Sequence, residues 1–216
     1  MAGKPLKTLA SQLKKNHGML LVSTFDASFT PGTVVNVAGW NDITKIDHLS
    51  REFPNLPAVE GPSACLLADF KRNHELSVDA AATLVQAPVS AKVQFQKASD
   101  VVCAFDSPVT YSLSLLGLED LLESTPAIWT KALGQALKLK RTHVVFQTVR
   151  GRISFLFRGS GGIGIDLQSG ALGNLSSAGL GTGWKWRNEA TLESKQEVLI
   201  AVEAARYNAT KQRFEV

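Results

Sequence analysis

The spacing of apolar and polar residues changes along the chain, and each change predicts a different element. Leucines at helical spacing predict a helix over residues 4–15 that ends at Gly18. Short apolar runs at 19–22 and 34–37 predict two strands. A second short helix is predicted after them, with apolar positions at Ile43, Ile46 and Leu49.

Alternation of apolar and polar residues dominates the next part of the chain. Residues 75–85 alternate at first, and residues 91–96 alternate throughout, so both predict amphipathic strands. The second strand is expected to continue through 101–105 after a break near Ser99. The apolar positions of these strands are Leu76, Val78, Val93 and Phe95.

Helical spacing returns over residues 117–140, in two pieces. Thr125 followed by Pro126 predicts the start of the second piece, because threonine is a good N-cap and proline is favoured at the first helical position. Long alternating strands follow at 142–158, with a turn or bulge at Arg150–Gly151, and at 191–207. Their apolar positions include Val145, Phe155, Val198, Ile200 and Val202, and the last three are expected on one face.

The pattern as a whole predicts an α+β fold. Alternating strands, unlike continuous apolar runs, indicate a twisted and mainly antiparallel sheet with one covered face and flanking helices. No linker-like composition divides the chain, so residues 1–216 are expected to form a single domain.

Residues 159–183 are rich in glycine and nearly free of charge. The run begins with G-x-G-x-x-G spacing at Gly159, but a dinucleotide site requires a helix directly after the glycines, and the further glycines exclude one. Ile163 and Ile165 instead alternate with Gly164 and other small or polar residues, as in a strand. Two interpretations stay open: a long surface loop, or a segment that extends into a bilayer as part of a closed barrel.

Charge adds a second candidate site. The net charge of +4 is too small to indicate a nucleic-acid partner, but it suits contact with acidic lipid. Basic residues cluster on the opening helix and again at the end of the middle helix. Each cluster is either a solvated helix face or a contact for anionic headgroups. The residues are Lys4, Lys7, Lys14, Lys15, Lys138, Lys140 and Arg141.

The sequence does not indicate catalytic chemistry. No spacing of His, Cys, Asp and Glu suits a metal, and no nucleophile lies in a known catalytic pattern, so we expect neither an enzyme nor a cofactor or metal. Cys65 and Cys103 are expected to be reduced thiols in a cytosolic protein, with one disulfide as the alternative. Trp184 and Trp186 are either hairpin anchors or interfacial aromatic residues.

The order of these features resembles the bacterial gasdermin family of pore-forming proteins. LASQLKKNHGMLLVS is similar to the family's opening helix and first strand, and GLEDLLES to the short helix after its first hairpin. FKRNHELSVDAAATL and AKVQFQKASDVV resemble the two strands of that hairpin. THVVFQTVRGRISFLF and ESKQEVLIAVEAARY resemble the strands of the second. The likeness lies in the order of segments over nearly the whole chain, since no single motif is diagnostic.

The resemblance implies a cytosolic monomer that forms a homo-oligomer and inserts two β-hairpins per subunit into the inner membrane. The result would be a pore that kills the cell in antiviral defence, with anionic lipids as partners. The apolar strand positions named above, together with Ile163 and Ile165, would be the inserting residues. In the family, proteolysis of a C-terminal inhibitory segment releases the pore-forming part.

The chain departs from the family in three respects. It lacks a near-terminal cysteine to carry a lipid, the middle of its first hairpin is short, and only residues 208–216 follow the last predicted strand. We therefore expect a form that is restrained by a protein partner or a different tail arrangement, or that has been processed by a protease. The alternative function is a soluble, non-enzymatic binding module or an inhibitory partner subunit of a related pore former.

Overall fold

The protein is built on one antiparallel sheet with helices packed against it. The computed structural model describes residues 4–22, 28–38, 43–67, 70, 73–84, 96, 98–159, 180–186 and 189–216. The helices are α1 (Lys4–His17), α2 (Val78–Leu84), α3 (Leu115–Ser124) and α4 (Ala132–Leu137), with 3-10 helices at Leu49–Arg51 and Pro126–Thr130. The strands are β1 (Met19–Leu21), β2 (Thr33–Val37), β3 (Ile43–His48), β4 (Glu60–Ala64), β5 (His74–Leu76), β6 (Ala98–Ser112), β7 (Thr142–Gly159), β8 (Leu180–Trp186), β9 (Glu189–Ser194), β10 (Val198–Asn208) and β11 (Arg213–Glu215).

Strand β7, 18 residues long, is the centre of the sheet. One edge of β7 pairs with β6 over most of its length and with β2 near its start. The other edge pairs with β10 and then with β9. The remaining strands extend the sheet outward from these neighbours, and every pairing is antiparallel. The expected α+β fold with a mainly antiparallel sheet and flanking helices is therefore confirmed.

The bulge predicted at Arg150–Gly151 lies in the neighbouring strands, because β7 itself runs through this point without a break. The register of β6 shifts after Asp106, and that of β10 shifts beside Ile200. A Cβ atom on Gly151 would lie 3.1 Å from the Cα of Pro108 and 3.3 Å from Cδ1 of Ile200. Glycine at this position lets two bulged strands approach β7 from both sides.

The predicted second short helix is wrong. Ile43–His48 is strand β3, which pairs with β2 in antiparallel register, and only Leu49–Arg51 is helical. β-branched side chains favour an extended backbone, and the hairpin partner decides the outcome. Leu49 is fully buried, whereas 46% of Ile46 is exposed, as expected for a strand at the edge of the sheet.

The strand predicted over residues 75–85 is also wrong for most of its length. The strand β5 ends at Leu76, and the helix α2 begins at Val78. The backbone N–H of Ala81 donates to the carbonyl of Ser77 at 3.0 Å, which is the first turn of that helix. An alanine-rich stretch has high helix propensity, and its brief alternation was too short to distinguish strand from helix.

Two further boundaries differ from the predictions. The strand β6 runs continuously through Ser99, and a shift in its register between Ala98 and Asp100 stands where the break was predicted. The strand predicted at 191–207 is divided into β9 and β10 by residues 195–197, and both parts pair with β7. Strand β8, which contains Trp184 and Trp186, was not predicted and pairs with β9.

The middle helical region consists of three short helices where two were expected. Thr125 precedes the 3-10 helix at Pro126–Thr130, but its side chain makes no capping hydrogen bond. Lys131 then has an extended backbone, with φ −87° and ψ 158°, and separates that helix from α4. The break allows Ile128 and Leu133 to be buried in the same apolar cluster.

Buried apolar residues form three clusters. The largest lies on one face of β6, β7 and β9, beneath α1 and α2. The second lies among α3, α4, the 3-10 helices and the ends of the sheet. The third lies on the opposite face of the sheet, where β1, β2 and β10 meet β7. Each face of the central strand therefore carries its own core.

Adjacent residues of β7 provide a test of its register. Phe155 is fully buried, whereas Leu156 points to the opposite face and is only partly buried. We expect Phe155→Ala to lower the free energy of unfolding by about 3–5 kcal/mol, through lost burial and a cavity. Leu156→Ala, the matched control, should cost about 1 kcal/mol. Urea unfolding measures both, and equal losses would contradict this register.

Candidate functional site

Strands β6, β7 and β9 together present an apolar face. In antiparallel register, Val101 lies opposite Phe157, which lies opposite Ala190. The next row repeats the pattern with Cys103, Phe155 and Leu192. All of these side chains are buried, and we call this surface the covered face. Its residues are Val101, Cys103, Phe105, Ile153, Phe155, Phe157, Ala190 and Leu192.

Two helices and a connecting segment cover this face. Leu13 of α1 and Ala81 and Ala82 of α2 belong to the same buried cluster as the covered face. Phe70 packs edge-to-face on Phe105, with ring centroids 5.4 Å apart. The helices of the cover pack on the sheet through these apolar side chains.

The opposite face of the same three strands is more polar, although Val102 and Leu156 also lie on it, and we call it the open face. Arg158 lies between Asp100 and Glu189 in adjacent strands, with its Nη1 3.9 Å from Asp100 Oδ1 and its Nε 3.3 Å from Glu189 Oε1. Exposed ion pairs of this kind add little stability, about 1 kcal/mol or less. They favour this register over its neighbours, because they match opposite charges across three strands.

The structure places the predicted inserting residues on more than one face. Leu76, Phe155, Val198 and Ile200 belong to the cluster of the covered face. Val145 and Val202 lie in the cluster on the opposite face. The expectation that Val198, Ile200 and Val202 share one face is wrong, because the bulge beside Ile200 shifts the alternation of β10.

The other predicted inserting residues are not in described strands. Val78 lies at the start of helix α2, which corrects its assignment to a strand. Val93, Phe95, Ile163 and Ile165 lie outside the described residues.

The predicted basic residues lie on two segments, helix α1 and the chain between α4 and β7. Lys14 and Lys15 are exposed in the last turn of α1, and the same helix contains Lys4 and Lys7. The second set, Lys138, Lys140 and Arg141, is exposed between α4 and β7. Nζ of Lys138 lies 5.1 Å from the centroid of the Trp129 ring.

His143 shows that these two segments lie near each other. The pKa of His143 is lowered, mainly because its imidazole is partly buried and further because the charges of Arg206 and Lys14 oppose its protonation. Its Nδ1 lies 3.1 Å from the carbonyl oxygen of Arg141. Lys14 of α1 and Arg206 of β10 therefore both lie near the start of β7, although Arg206 is also ion-paired with Glu215.

Arg206 was missed by the sequence interpretation. It lies in the last long strand, next to apolar Tyr207, and its Nη2 is 3.2 Å from Glu215 Oε2. Only the pairing of β10 with β7 places it near the predicted lysines. The alternation of apolar and polar residues in β10 indicated that the side chain of Arg206 is not in the core, but it could not indicate which residues of other elements lie beside it.

The described residues offer little support for catalysis or metal binding. Cys65 and Cys103 are both buried and form no disulfide, and burial raises the pKa of the Cys103 thiol well above its ordinary value, so it is a poor nucleophile. The described part of the chain contains no cluster of three or more His, Cys, Asp or Glu side chains that could hold a metal. Within the same residues, no helix has the length and hydrophobicity to cross a bilayer.

Comparison with known proteins adds one decisive observation. No protein-family model and no curated protein sequence matches the chain. A solved structure of a bacterial gasdermin from Bradyrhizobium tropiciagri superposes on 96% of this chain and 89% of its own, with a TM-score of 0.60 and 12% sequence identity. The fold is that of a bacterial gasdermin. The resemblance in segment order is thereby confirmed for the gasdermin-like fold.

The lowered pKa of His143 predicts a dependence of stability on pH. The unfolded chain, with a histidine pKa of about 6.5, binds the proton more readily than the folded chain does. The free energy of unfolding should therefore fall as the pH drops through 6.5, and His143→Gln should reduce this fall. Urea unfolding across this range measures the effect. An NMR midpoint for His143 at or above 6.5 would contradict it.

Proposed function

We propose that this chain is a gasdermin-like pore former, which oligomerises at an anionic membrane and inserts β-hairpins to permeabilise it. The covered face is the observation that carries the proposal. It is an apolar surface on alternating residues of adjacent antiparallel strands, with a polar open face behind it. A strand of a membrane barrel has the same division, because one face meets lipid and the other meets water.

The lengths of the strands support the proposal. β6 has 15 residues and β7 has 18, whereas a strand that crosses a bilayer needs about 9–11. The two strands are already paired in antiparallel register over most of their length. Insertion can therefore keep the main-chain hydrogen bonds between them, which a bilayer requires.

The neighbouring sequence allows the sheet to lengthen. From residue 76 to residue 91 the only charged side chain is Asp79, and from 159 to 183 it is Asp166. The first segment precedes β6 and the second follows β7. Segments with so little charge can enter a bilayer at small cost, provided that they extend as paired strands.

The resting form and the membrane form would then differ in what covers this apolar face. At rest α1 and α2 shield it from water, and in the membrane lipid replaces them. The basic surface near α1 provides attraction to anionic headgroups, at about 1 kcal/mol per cation near the surface. We propose a cytoplasmic resting form, a homo-oligomer at the inner membrane when active, no enzymatic activity, and cell death in antiviral defence as the outcome. The same proposal includes a protein partner that restrains the resting form, or a protease that releases it.

Loosening the cover should accelerate pore formation. Leu13 of α1 and Leu118 of α3 are both fully buried, but only Leu13 packs in the cluster of the covered face. Either Leu→Ala change should destabilise the fold by about 2–5 kcal/mol. We expect Leu13→Ala alone to increase dye release from liposomes that contain anionic lipid, because it uncovers the inserting surface.

Leu118→Ala is the matched control in this experiment. Equal release by the two variants would mean that general unfolding, not the cover, limits insertion. If the unaltered chain and both variants release no dye, before or after limited proteolysis, the pore proposal fails. The same chain would then be better described as a soluble binding module or a partner subunit.

The opening helix provides a separate test of membrane binding. Reversing the charge of Lys4, Lys7, Lys14 and Lys15 to Glu should abolish co-sedimentation with anionic liposomes, because attraction becomes repulsion. The triple change Lys138→Glu, Lys140→Glu and Arg141→Glu tests the second set in the same assay. Liposomes of zwitterionic lipid are the control for both. Unchanged binding of the first variant would remove α1 from the membrane contact.

A further inference from the structure

The turn between α4 and β7 places four consecutive residues on the surface. Residues 138–141 are all exposed, whereas Leu137 before them and Thr142 after them are buried. The exposed residues read Lys-Leu-Lys-Arg, and we call them the basic turn. Leu139, the apolar member, is 61% exposed, so its side chain contributes little to the core of the resting protein.

Main-chain hydrogen bonds hold the basic turn at both of its ends. The N–H of Leu139 donates to the carbonyl of Ala136 at 3.0 Å, and the N–H of Thr142 donates to the carbonyl of Leu139 at 3.0 Å. The carbonyl of Arg141 accepts from the N–H of Val37 at 2.9 Å, which ties the turn to the end of β2. A partner that buries Leu139 therefore does not have to order the backbone first.

The three cations of the basic turn are not neutralised by carboxylates of the described residues. Lys138, Lys140 and Arg141 form no ion pair within the part of the chain that the structure describes. Nζ of Lys138 lies over the Trp129 ring, a cation–π contact that leaves its charge in place. The sequence from residue 124 to residue 165 contains no Asp or Glu. The turn therefore presents an apolar side chain among three positive charges.

The end of α1 adds positive charge near the basic turn. Nδ1 of His143 lies 3.1 Å from the carbonyl oxygen of Arg141, and the charge of Lys14 is one cause of the lowered pKa of His143. Lys14 and Lys15 are both exposed in the last turn of that helix. An anionic surface that meets the basic turn is therefore attracted by the end of α1 as well.

An apolar side chain among cations matches the boundary between the headgroups and the acyl chains of a bilayer. Anionic headgroups attract the cations, and the acyl region accepts the apolar group. The aliphatic stems of lysine and arginine lie along that boundary while their charges stay among the headgroups. We propose that Leu139 enters the acyl region of an anionic membrane, with the cations of the basic turn at its headgroups. This inference rests on the proposed attraction to anionic membranes and specifies a side chain that penetrates the bilayer.

Leu116 provides a matched comparison within the same molecule. It is 68% exposed on α3, and Glu119 and Asp120 follow it at helical spacing. Together with Glu123, these carboxylates line a pocket of about 430 Å³ to which Leu116 also contributes. Leu116 is thus about as exposed as Leu139, but its neighbours repel an anionic surface.

The first experiment places an environment-sensitive NBD fluorophore at each leucine of the full chain. Cys65 and Cys103 are buried, so Leu139→Cys and Leu116→Cys should each react at the new thiol, and the unaltered chain should take up little label. On vesicles of phosphatidylglycerol in phosphatidylcholine, we expect the emission at residue 139 to shift to the blue and to be quenched by spin-labelled acyl chains. The emission at residue 116 should stay as it is in buffer, and vesicles of phosphatidylcholine alone should change neither.

The second experiment measures how much the side chain adds to the affinity for the membrane. Leu139→Gln should weaken co-sedimentation with the same anionic vesicles by about five-fold, because burial of the apolar side chain is lost. Leu139→Phe should bind at least as tightly as the unaltered chain, and Leu116→Gln should leave binding unchanged. Both leucines are largely exposed, so the Tm should not change in any of these variants.

Several outcomes would overturn the inference. Vesicle binding without a shift or quenching at residue 139 would mean that the turn meets the headgroups alone. Equal effects at residues 139 and 116 would mean that charge does not select the contact. If Leu139→Gln dissociates a dimer of this chain and leaves vesicle binding unchanged, the turn contacts a second copy instead.

The two assays also separate this inference from the proposed pore. Neither depends on permeabilisation, so a chain that binds with Leu139 in the acyl region but releases no dye supports the inference and contradicts the pore. If the unaltered chain does not bind anionic vesicles at all, the proposed membrane attraction and this inference both fail.

Discussion

The hydrogen bonding of β7 along both of its edges is the constraint on which the rest of the structure depends. Its partners on one side are β6 and β2, and on the other β10 and β9. A slip of one residue would turn Phe155 and Phe157 towards solvent and Arg158 towards the core. The neighbouring strands take up the irregularities in register near Gly151, whereas nearer its start β7 has one extra residue, Phe146, opposite Glu203 and Ala204 of β10.

Because β7 has two well-separated faces, one strand serves two different surfaces. Odd-numbered residues from Ile153 to Phe157 belong to the covered face, whereas the even-numbered Arg158 lies on the open face between Asp100 and Glu189. The covered face is closed by helices that pack on it through apolar side chains, whereas the open face is left to solvent and to ion pairs across the strands.

Sequence alternation was sufficient to predict the long strands around β7 and the α+β class, because burial of one face dictates that pattern. It failed where tertiary pairing overrides local preference, as in Ile43–His48, and where an alternating stretch was too short, as in Val78–Leu84. It also failed at Ile200, since a bulge reverses the facing of every residue beyond it. The proximity of Lys14, His143 and Arg206 was beyond prediction, because the three residues meet only through the pairing of β10 with β7 and the packing of α1.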